Sequence, residues 1–261
     1  QGHSALEEIA AGETAALVLS NAAGSWLPAE TPVSADGGKL NGTAYFVQDA
    51  GKVSRLLVCA QSPQGLALYW VAADAPGVQL TQDAIVDLTR DQAHIAFDNV
   101  AAVQLTAAAQ QAMDAALPAI WTLHAADMVG AAEWQLQTTV EYVNQRQQFD
   151  HPLGFFQAVK HPLVNVMVAI DQAKSLVYNA ACAVDCEPEK ARQAAHMAQA
   201  SASDMAAFAS GRSVQCHGGI GFTWECYVHL FFKRQKHSEM LWGDAVWHRA
   251  RLAEILIDAA A

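Results

Sequence analysis

The residues best suited to chemistry are an arginine, two adjacent glycines and a carboxylate, all in the C-terminal half of the chain. Arg146 carries a planar, permanent charge that can hold a phosphate through two parallel hydrogen bonds. Gly218 and Gly219 let backbone N–H groups approach a ligand without interference from Cβ atoms. Asp244 could accept a proton. Each also has an ordinary interpretation: a solvated charge, a helix-ending turn and a helix N-cap.

Composition limits the classes of partner. The chain has 261 residues, of which 52% are apolar, enough for one large domain or two small ones. The net charge of −11 argues against a nucleic-acid partner, so any bound phosphate must be held by a few local groups. No apolar run is long enough to cross a membrane and no signal peptide is visible. We therefore expect a cytoplasmic protein.

The five cysteines are scattered along the chain. Cys182 and Cys186 are one helical turn apart, but no second pair completes a zinc site. We expect reduced thiols and no bound metal. The opening segment Gln1-Gly2-His3-Ser4 is typical of the remainder of a cleaved tag, and the native pattern is expected to start near Ala5.

The secondary structure predicted for the chain changes from strands to helices near residue 105. Before it, short apolar stretches alternate with Gly, Asn, Asp and Pro, which predicts about seven antiparallel strands in a small barrel or sandwich spanning residues 5–105. Residues 106–261 are typical of an antiparallel four-helix bundle. We expect a helix starting at Pro118, a turn at Asp150–Gly154, further helices starting near Glu187 and Trp224, and a break near Gly243. The predicted fold class is α+β.

Three segments stand out, in this order: Arg146–Leu153 followed by Phe156-Gln157, Gln215–Glu225, and Leu241–Asp244 with His248-Arg249. Together they resemble the acyl-CoA dehydrogenase family. They match its Arg-x-x-Phe segment between the first two bundle helices, its Gln-x-x-Gly-Gly-x-Gly-Phe loop, and its C-terminal segment that bears the catalytic base. Weaker agreement covers Gly38–Gly42 and Phe46–Gly51, and the order fits from about Leu6 to the end.

The resemblance implies an FAD-dependent α,β-desaturation of an acyl-CoA thioester. In that reaction a carboxylate removes the α-proton while the β-hydrogen leaves as hydride to flavin N5. The family's β domain is usually preceded by an N-terminal helical domain. That domain is absent from this sequence, so we expect a shortened chain or a fragment of a longer one.

The resemblance also assigns cofactor contacts. It places Arg146 on the pyrophosphate of FAD bound in a neighbouring subunit, with Gln148 and Phe149 near the same flavin; packing in the core is the alternative for Phe149. The family's adenosine pyrophosphate loop falls on Gln215, Gly218 and Gly219. His217 is expected to be a packed or solvent-facing loop residue. The Trp-x-Thr beside the isoalloxazine is replaced by Phe46-Val47-Gln48, where Phe46 could cover the flavin or belong to the barrel core.

The usual catalytic base has no counterpart. Most members carry a Glu at the position of Gly243, and a minority carry it on the first long bundle helix, at the position of Ile120. Asp244 is the adjacent carboxylate, but it lies one residue along and is one methylene shorter. Glu239 and Glu225 are lower-ranked candidates. Asp244 is therefore a weak candidate base with an N-cap as its alternative.

Two classes of function follow from the resemblance. The chain is either a non-catalytic partner subunit of a heteromeric acyl-CoA dehydrogenase, as found among enzymes of sterol side chains, or a competent homomeric enzyme whose base is unplaced. A flavin-free structural bundle is a third class. The family associates through its bundle as dimers of dimers and commonly passes electrons to an electron-transfer flavoprotein, so we expect a homo- or hetero-oligomer, that electron acceptor and an acyl-CoA substrate.

Overall fold

The structure, a computed structural model, describes residues 2–257. The chain divides into two compact units, one extending to Ala115 and the other starting at Ala116. The first is mainly β and the second is helical, which confirms the predicted α+β class.

The first unit contains helix α1 (Gly2–Ala10) and one eight-stranded sheet. Its strands run in the spatial order β6-β7-β3-β2-β4-β5-β8, with β1 paired to β4. The strand bounds are β1 Ala15–Val18, β2 Ser34–Asp36, β3 Lys39–Gln48, β4 Arg55–Ser62, β5 Gly65–Ala72, β6 Val78–Gln82, β7 Gln92–Ala101 and β8 Val103–Thr106.

The sheet is mainly antiparallel, as predicted, but β4 also has two parallel neighbours, β1 and β2. Alternating residues of the strands face one apolar core, in which Leu40, Leu56 and Ile95 are fully buried. The hairpin between β2 and β3 turns at Gly37 and Gly38, which both have positive φ as a two-residue turn requires.

A β-bulge interrupts the pairing of β3 with β7. Ala44 pairs with Ile95 and Val47 pairs with Ala93, so Tyr45 and Phe46 together oppose the single residue His94. Phe46 has φ 57°, in the left-handed region that a bulky residue rarely occupies. The bulge therefore re-aims the side chains at this point of the sheet.

The second unit contains most of the long helix α2 (Ala109–Gln145) and four further helices, α3 (Gln157–Cys186), α4 (Pro188–His217), α5 (Val228–Met240) and α6 (Ala245–Leu256). A small hairpin, β9 (Gln147–Gln148) with β10 (His151–Pro152), joins α2 to α3. The break expected near Gly243 separates α5 from α6. A core of alanine, valine, isoleucine and methionine joins α2, α3 and α4.

The prediction that Pro118 starts a helix is wrong, because α2 begins at Ala109 and Pro118 lies inside it. An internal proline costs a helix about 3 kcal/mol by removing one N–H and crowding the preceding turn. Leu117, Pro118 and Trp121 are all buried, so packing outweighs the local preference.

Helices α2 and α4 run parallel with a constant register. Four contacts join residues whose numbers differ by 74 or 75. The difference is 75 for Trp121 with His196, His124 with Gln199 and Tyr142 with His217, and it is 74 for Thr139 with Ser213. The C-terminal ends of the two helices therefore lie together, and each end bears one of the segments expected to bind cofactor. Within residues 2–257 no helix is long and apolar enough to cross a membrane.

Candidate cofactor site and base position

Arg146 follows directly on the last residue of α2 and leads into the β9–β10 hairpin. Its backbone N–H donates to the Tyr142 carbonyl at 2.8 Å, and its carbonyl accepts from the Leu153 N–H at 2.8 Å, which fixes the backbone on both sides. The side chain is exposed, and no carboxylate among residues 2–257 pairs with it. The backbone of Arg146 is held at a defined place, and its exposed guanidinium is open to a ligand.

The hairpin turn is formed by Phe149 and Asp150, which are not the residue types preferred in a two-residue turn of this kind. Phe149 and Asp150 have φ values of 54° and 62°, the positions at which a two-residue hairpin prefers Asn and Gly. Phe149 is 84% exposed, so within this chain it is not a core residue, and its ring meets Phe156 edge-on at 6.2 Å. Gln148 is exposed beside it. Strained, exposed aromatic residues are typical of surfaces that contact a ligand or a partner.

The end of α4 carries the second segment that is predicted to bind cofactor. Gly218 caps the helix with φ 62° and ψ −140°, and its N–H donates to the carbonyls of Gln215 and Val214. A Cβ built on Gly218 or Gly219 would meet no described atom within 4 Å. A Cβ on Gly221, by contrast, would lie 3.0 Å from His217 Cβ. The first two glycines thus present open backbone, whereas the third is required for packing.

A buried contact joins this turn to the end of α2. The His217 ring stacks on Tyr142 with centroids 4.4 Å apart, and its Nδ1–H donates to the Ser213 carbonyl at 2.8 Å. His217 is buried, in agreement with the expectation of a packed residue. Since Tyr142 lies one turn before Arg146, the arginine and the Gln215 turn sit on adjoining helix ends, and Gln215 itself is exposed.

In the first unit, Phe46 and Gln48 lie at the bulge and are both half-buried. Gln48 Nε2 donates to the Phe46 carbonyl at 3.2 Å and to Gln92 Oε1 at 2.9 Å. Gln48 Oε1 is buried and accepts no hydrogen bond from residues 2–257. A buried acceptor without a donor marks a place where a ligand or water completes the structure.

Asp244 is the N-cap of α6. Its Oδ1 accepts the Trp247 N–H at 2.8 Å, which agrees with the helix-capping interpretation. Glu239 pairs with Lys236 at 2.8 Å on α5, and Glu225 is exposed beside the glycine turn. None of these contacts shows a carboxylate prepared to remove a proton.

Gly243, the position that the resemblance assigns to the usual base, lies against an indole. Gly243 has φ 98°, and a Cβ built on it would lie 2.6 Å from Trp247 Cε3 and 3.3 Å from His248 Nε2. On α2, Trp121 follows Ile120, the alternative base position, and the Trp121 ring centroid lies 6.1 Å from that of Trp247 and 5.5 Å from that of His248. Gly243 and Trp121 therefore both border one cluster of tryptophan and histidine.

The two histidines of this cluster form a neutral pair. His248 Nε2 must donate to the Trp242 carbonyl at 3.1 Å, so its Nδ1 is an acceptor, and His196 Nδ1–H donates to it at 2.7 Å. Burial, and for His196 also the neighbouring His248, lowers the pKa of both imidazoles far below the ordinary value. The pair is a packed hydrogen-bonded unit at neutral pH.

Sequence reasoning did not identify His196 or Trp247 as part of this region. The spacing could have indicated His196, because a histidine and a glutamine three residues apart (His196, Gln199) interrupt the alanine-rich face of α4. Trp247 had no such signal, since its role depends on the left-handed turn at Trp242 and Gly243.

Comparison with known proteins identifies the family. A family model for the acyl-CoA dehydrogenase C-terminal domain matches residues 117–257. The chain belongs to the acyl-CoA dehydrogenase family. Acyl-CoA dehydrogenase IpdE2 of Mycobacterium tuberculosis is 42% identical over 119 residues, which are 46% of this chain and 36% of that protein. Acyl-CoA dehydrogenase FadE27 of the same organism is 30% identical over 250 residues, which are 90% of this chain and 65% of that protein.

Solved structures of the family extend the similarity to both units. A steroid acyl-CoA dehydrogenase of two proteins, Tcur3481-Tcur3483, in a G363A variant, superposes with a TM-score of 0.87 at 27% identity, over 99% of this chain and 71% of that one. The ChsE4-ChsE5 complex from Mycobacterium tuberculosis gives 0.84 at 26% identity, over 97% and 69%. The chain matches only about a third of the IpdE2 length.

Proposed function

We propose that this chain is a non-catalytic subunit of a heteromeric, FAD-dependent acyl-CoA dehydrogenase of the cytoplasm. It lends Arg146 and the Gln215–Gly219 turn to a flavin shared with a partner subunit that carries the catalytic base. The complex desaturates an acyl-CoA thioester between its α and β carbons and passes the electrons to an electron-transfer flavoprotein.

The observation that carries this proposal is the closure of the Gly243 position. Gly243 lies against Trp247, and the alternative position on α2 holds Ile120, which is not acidic. A general base must come within hydrogen-bonding distance of the proton it removes, and no carboxylate of the cluster meets that condition. Asp244 already caps α6.

The residues present fit FAD. Arg146 is exposed without an ion-pair partner in the described chain, and a diphosphate is the ligand that its two-pronged donor set prefers. The open backbone of Gly218 and Gly219 can approach the same group. When bound, the flavin supplies the hydride acceptor. The residues of this chain bind and orient it.

The names of two similar structures support a two-protein assembly. One is described as a steroid acyl-CoA dehydrogenase of Tcur3481 and Tcur3483, the other as a ChsE4-ChsE5 complex. Both are more than 25% identical to this chain over nearly its whole length. A steroid-derived acyl-CoA is accordingly our first choice of substrate class.

The test is an absorbance spectrum of the full-length protein, purified alone and after co-expression with a base-bearing paralogue. We expect no flavin bands from the protein alone, and flavin with acyl-CoA-dependent bleaching from the complex. Arg146→Ala should lower the flavin content of the complex, whereas Lys190→Ala, which removes an exposed cation paired with Glu187, should not. Flavin and bleaching in the protein alone would overturn the subunit assignment and favour a competent homomer.

A further inference from the structure

The outer face of β3 and β7 carries a hydrogen-bonded chain of four side chains. Gln48 donates to Gln92 Oε1 at 2.9 Å, Gln92 Nε2 donates to Asp83 Oδ2 at 3.0 Å, and Asp83 Oδ1 lies 3.0 Å from His94 Nδ1. The Asp83 N–H also donates to the Gln92 carbonyl at 2.9 Å, which ties the carboxylate to the sheet.

The single carboxylate among these four side chains, Asp83, determines which groups donate and which accept. Ionised Asp83 only accepts, so both Gln92 Nε2 and His94 Nδ1–H must donate to it. The Gln92 oxygen then faces Gln48, whose amide nitrogen donates in turn. The series of hydrogen-bonded side chains consequently ends in two acceptors, Gln48 Oε1 at one end and the His94 Nε2 lone pair at the other.

The β-bulge places His94 where it can use that lone pair. His94 is the single residue opposite Tyr45 and Phe46, and its ring lies against Tyr45 at 5.9 Å and 25°. Its side chain is 36% exposed, and Nε2 has no hydrogen-bond partner among residues 2–257. A bulge that re-aims an aromatic residue next to an oriented imidazole is typical of a ligand-binding edge.

We infer that His94, oriented by Asp83, is a further cofactor-contacting residue, whose Nε2 accepts a hydrogen bond from the flavin ring system beside Phe46 and Gln48. This inference rests on the proposed function, because the resemblance assigns Phe46 and Gln48 to the isoalloxazine. His94 lies outside every segment on which the resemblance to the family rests. Asp83 is a positioning residue that orients His94 at one end of the hydrogen-bonded chain and Gln92 at the other.

The experiment uses the co-purified complex after removal and re-addition of FAD. His94→Phe keeps a ring against Tyr45 but removes the nitrogen, so we expect FAD to bind about tenfold more weakly, the loss of one hydrogen bond to a ligand. The visible absorption bands of bound FAD should shift as well. Gln79→Ala, an exposed substitution two residues before Thr81, the β6 partner of His94, is the control that should change neither.

A double-mutant cycle separates contact from folding. Asp83→Asn alone should weaken FAD binding several-fold, and its effect should be clearly smaller in the His94→Phe background, because the part that passes through the imidazole is already lost there. Additive losses in the double variant, or unchanged affinity and spectrum in His94→Phe, would overturn the inference while leaving the proposed function intact. A wild-type complex without any flavin would overturn both.

Discussion

At the scale of single residues, the proposed function depends most on the absence of a side chain at Gly243. The position that the resemblance assigns to the usual base has φ 98° here and lies against the Trp247 indole. A carboxylate cannot be introduced there by substitution without displacing that ring. The sequence predicts that the Glu is missing, but it does not predict the indole, because a turn brings Trp247 against Gly243 and no local pattern indicates that turn.

Gly243→Glu should therefore fail to create a base. The positive φ and the contact with Trp247 should lower the free energy of unfolding by about 2–4 kcal/mol, without any gain in acyl-CoA oxidation. Urea denaturation and flavin bleaching by acyl-CoA measure the two effects. The matched double variant Gly243→Glu/Trp247→Ala removes the contact with the indole but keeps the backbone strain. Turnover by the single variant would show that the position is open after all.

At the scale of elements, helix ends carry most of the candidate chemistry. Residues at the C-terminal ends of α2 and α4 form the Arg146 and Gln215 segments, and the N-cap of α6 is the residue proposed from sequence as a weak base. Gly218 and Gly219 were sufficient to predict where α4 ends. The two short strands β2 and β8 and the long α2 with its internal Pro118 were not predicted, because pairing and burial decide them, not local preference.

The two interpretations of Asp244 can be separated by one pair of variants. Asp244→Ala removes the cap of α6 and should cost about 1 kcal/mol of stability. Asp244→Ser keeps a capping oxygen but has no carboxylate, so it should retain both the stability and the acyl-CoA-dependent bleaching of the complex. Thermal unfolding and a stopped-flow reduction assay report the two properties. Loss of bleaching in the serine variant, with stability unchanged, would identify Asp244 as the base.

The His196–His248 pair between α4 and α6 should make stability depend on pH. Each imidazole has an unfolded pKa near 6.5 and a lowered folded pKa, so below that pH the unfolded chain binds more protons than the folded one. Stability is therefore highest above about pH 7 and falls as the pH drops, by roughly 2–4 kcal/mol at pH 5 for the pair.

Urea denaturation between pH 5 and 8 measures this loss. The double variant His196→Leu/His248→Leu should flatten the profile, since no proton uptake remains at the pair. His161→Gln, which changes an exposed histidine of α3, should retain the wild-type slope. Equal slopes in the wild type and the leucine variant would contradict the assignment of a neutral buried pair.

At the scale of the whole molecule, the α+β class and the order of strands before helices were predictable because the periodicity changes once, near residue 105. The helical unit also exposes many apolar side chains, including Phe149, Phe222, Trp224 and Tyr227. The proposed function accounts for such surfaces, because another subunit would cover them. Sequence alone did not predict these exposed positions, because periodicity shows which face of a helix is apolar and not what covers it.

Phe149→Ser should accordingly weaken assembly more than folding. The residue is 84% exposed, so the isolated chain should lose less than about 0.5 kcal/mol of stability. Sedimentation velocity should show the complex dissociating at higher protein concentration than the wild type does. Val86→Ser, which changes a similarly exposed apolar residue of the first unit, serves as the comparison and should leave assembly unaffected. Unchanged sedimentation of the Phe149 variant would remove the hairpin from the interface.

The constant register between α2 and α4 limits how such a chain can vary in length. Because contacts at both ends share a separation of 74 or 75 residues, a single inserted residue within either helix would turn everything beyond it by about 100° and separate Tyr142 from His217. An insertion at Glu187, between α3 and α4, would instead be absorbed by the connection. We therefore expect insertions, natural or engineered, to be tolerated at Glu187. They should be rare within α2 and α4, whose C-terminal ends position Arg146 and Gln215.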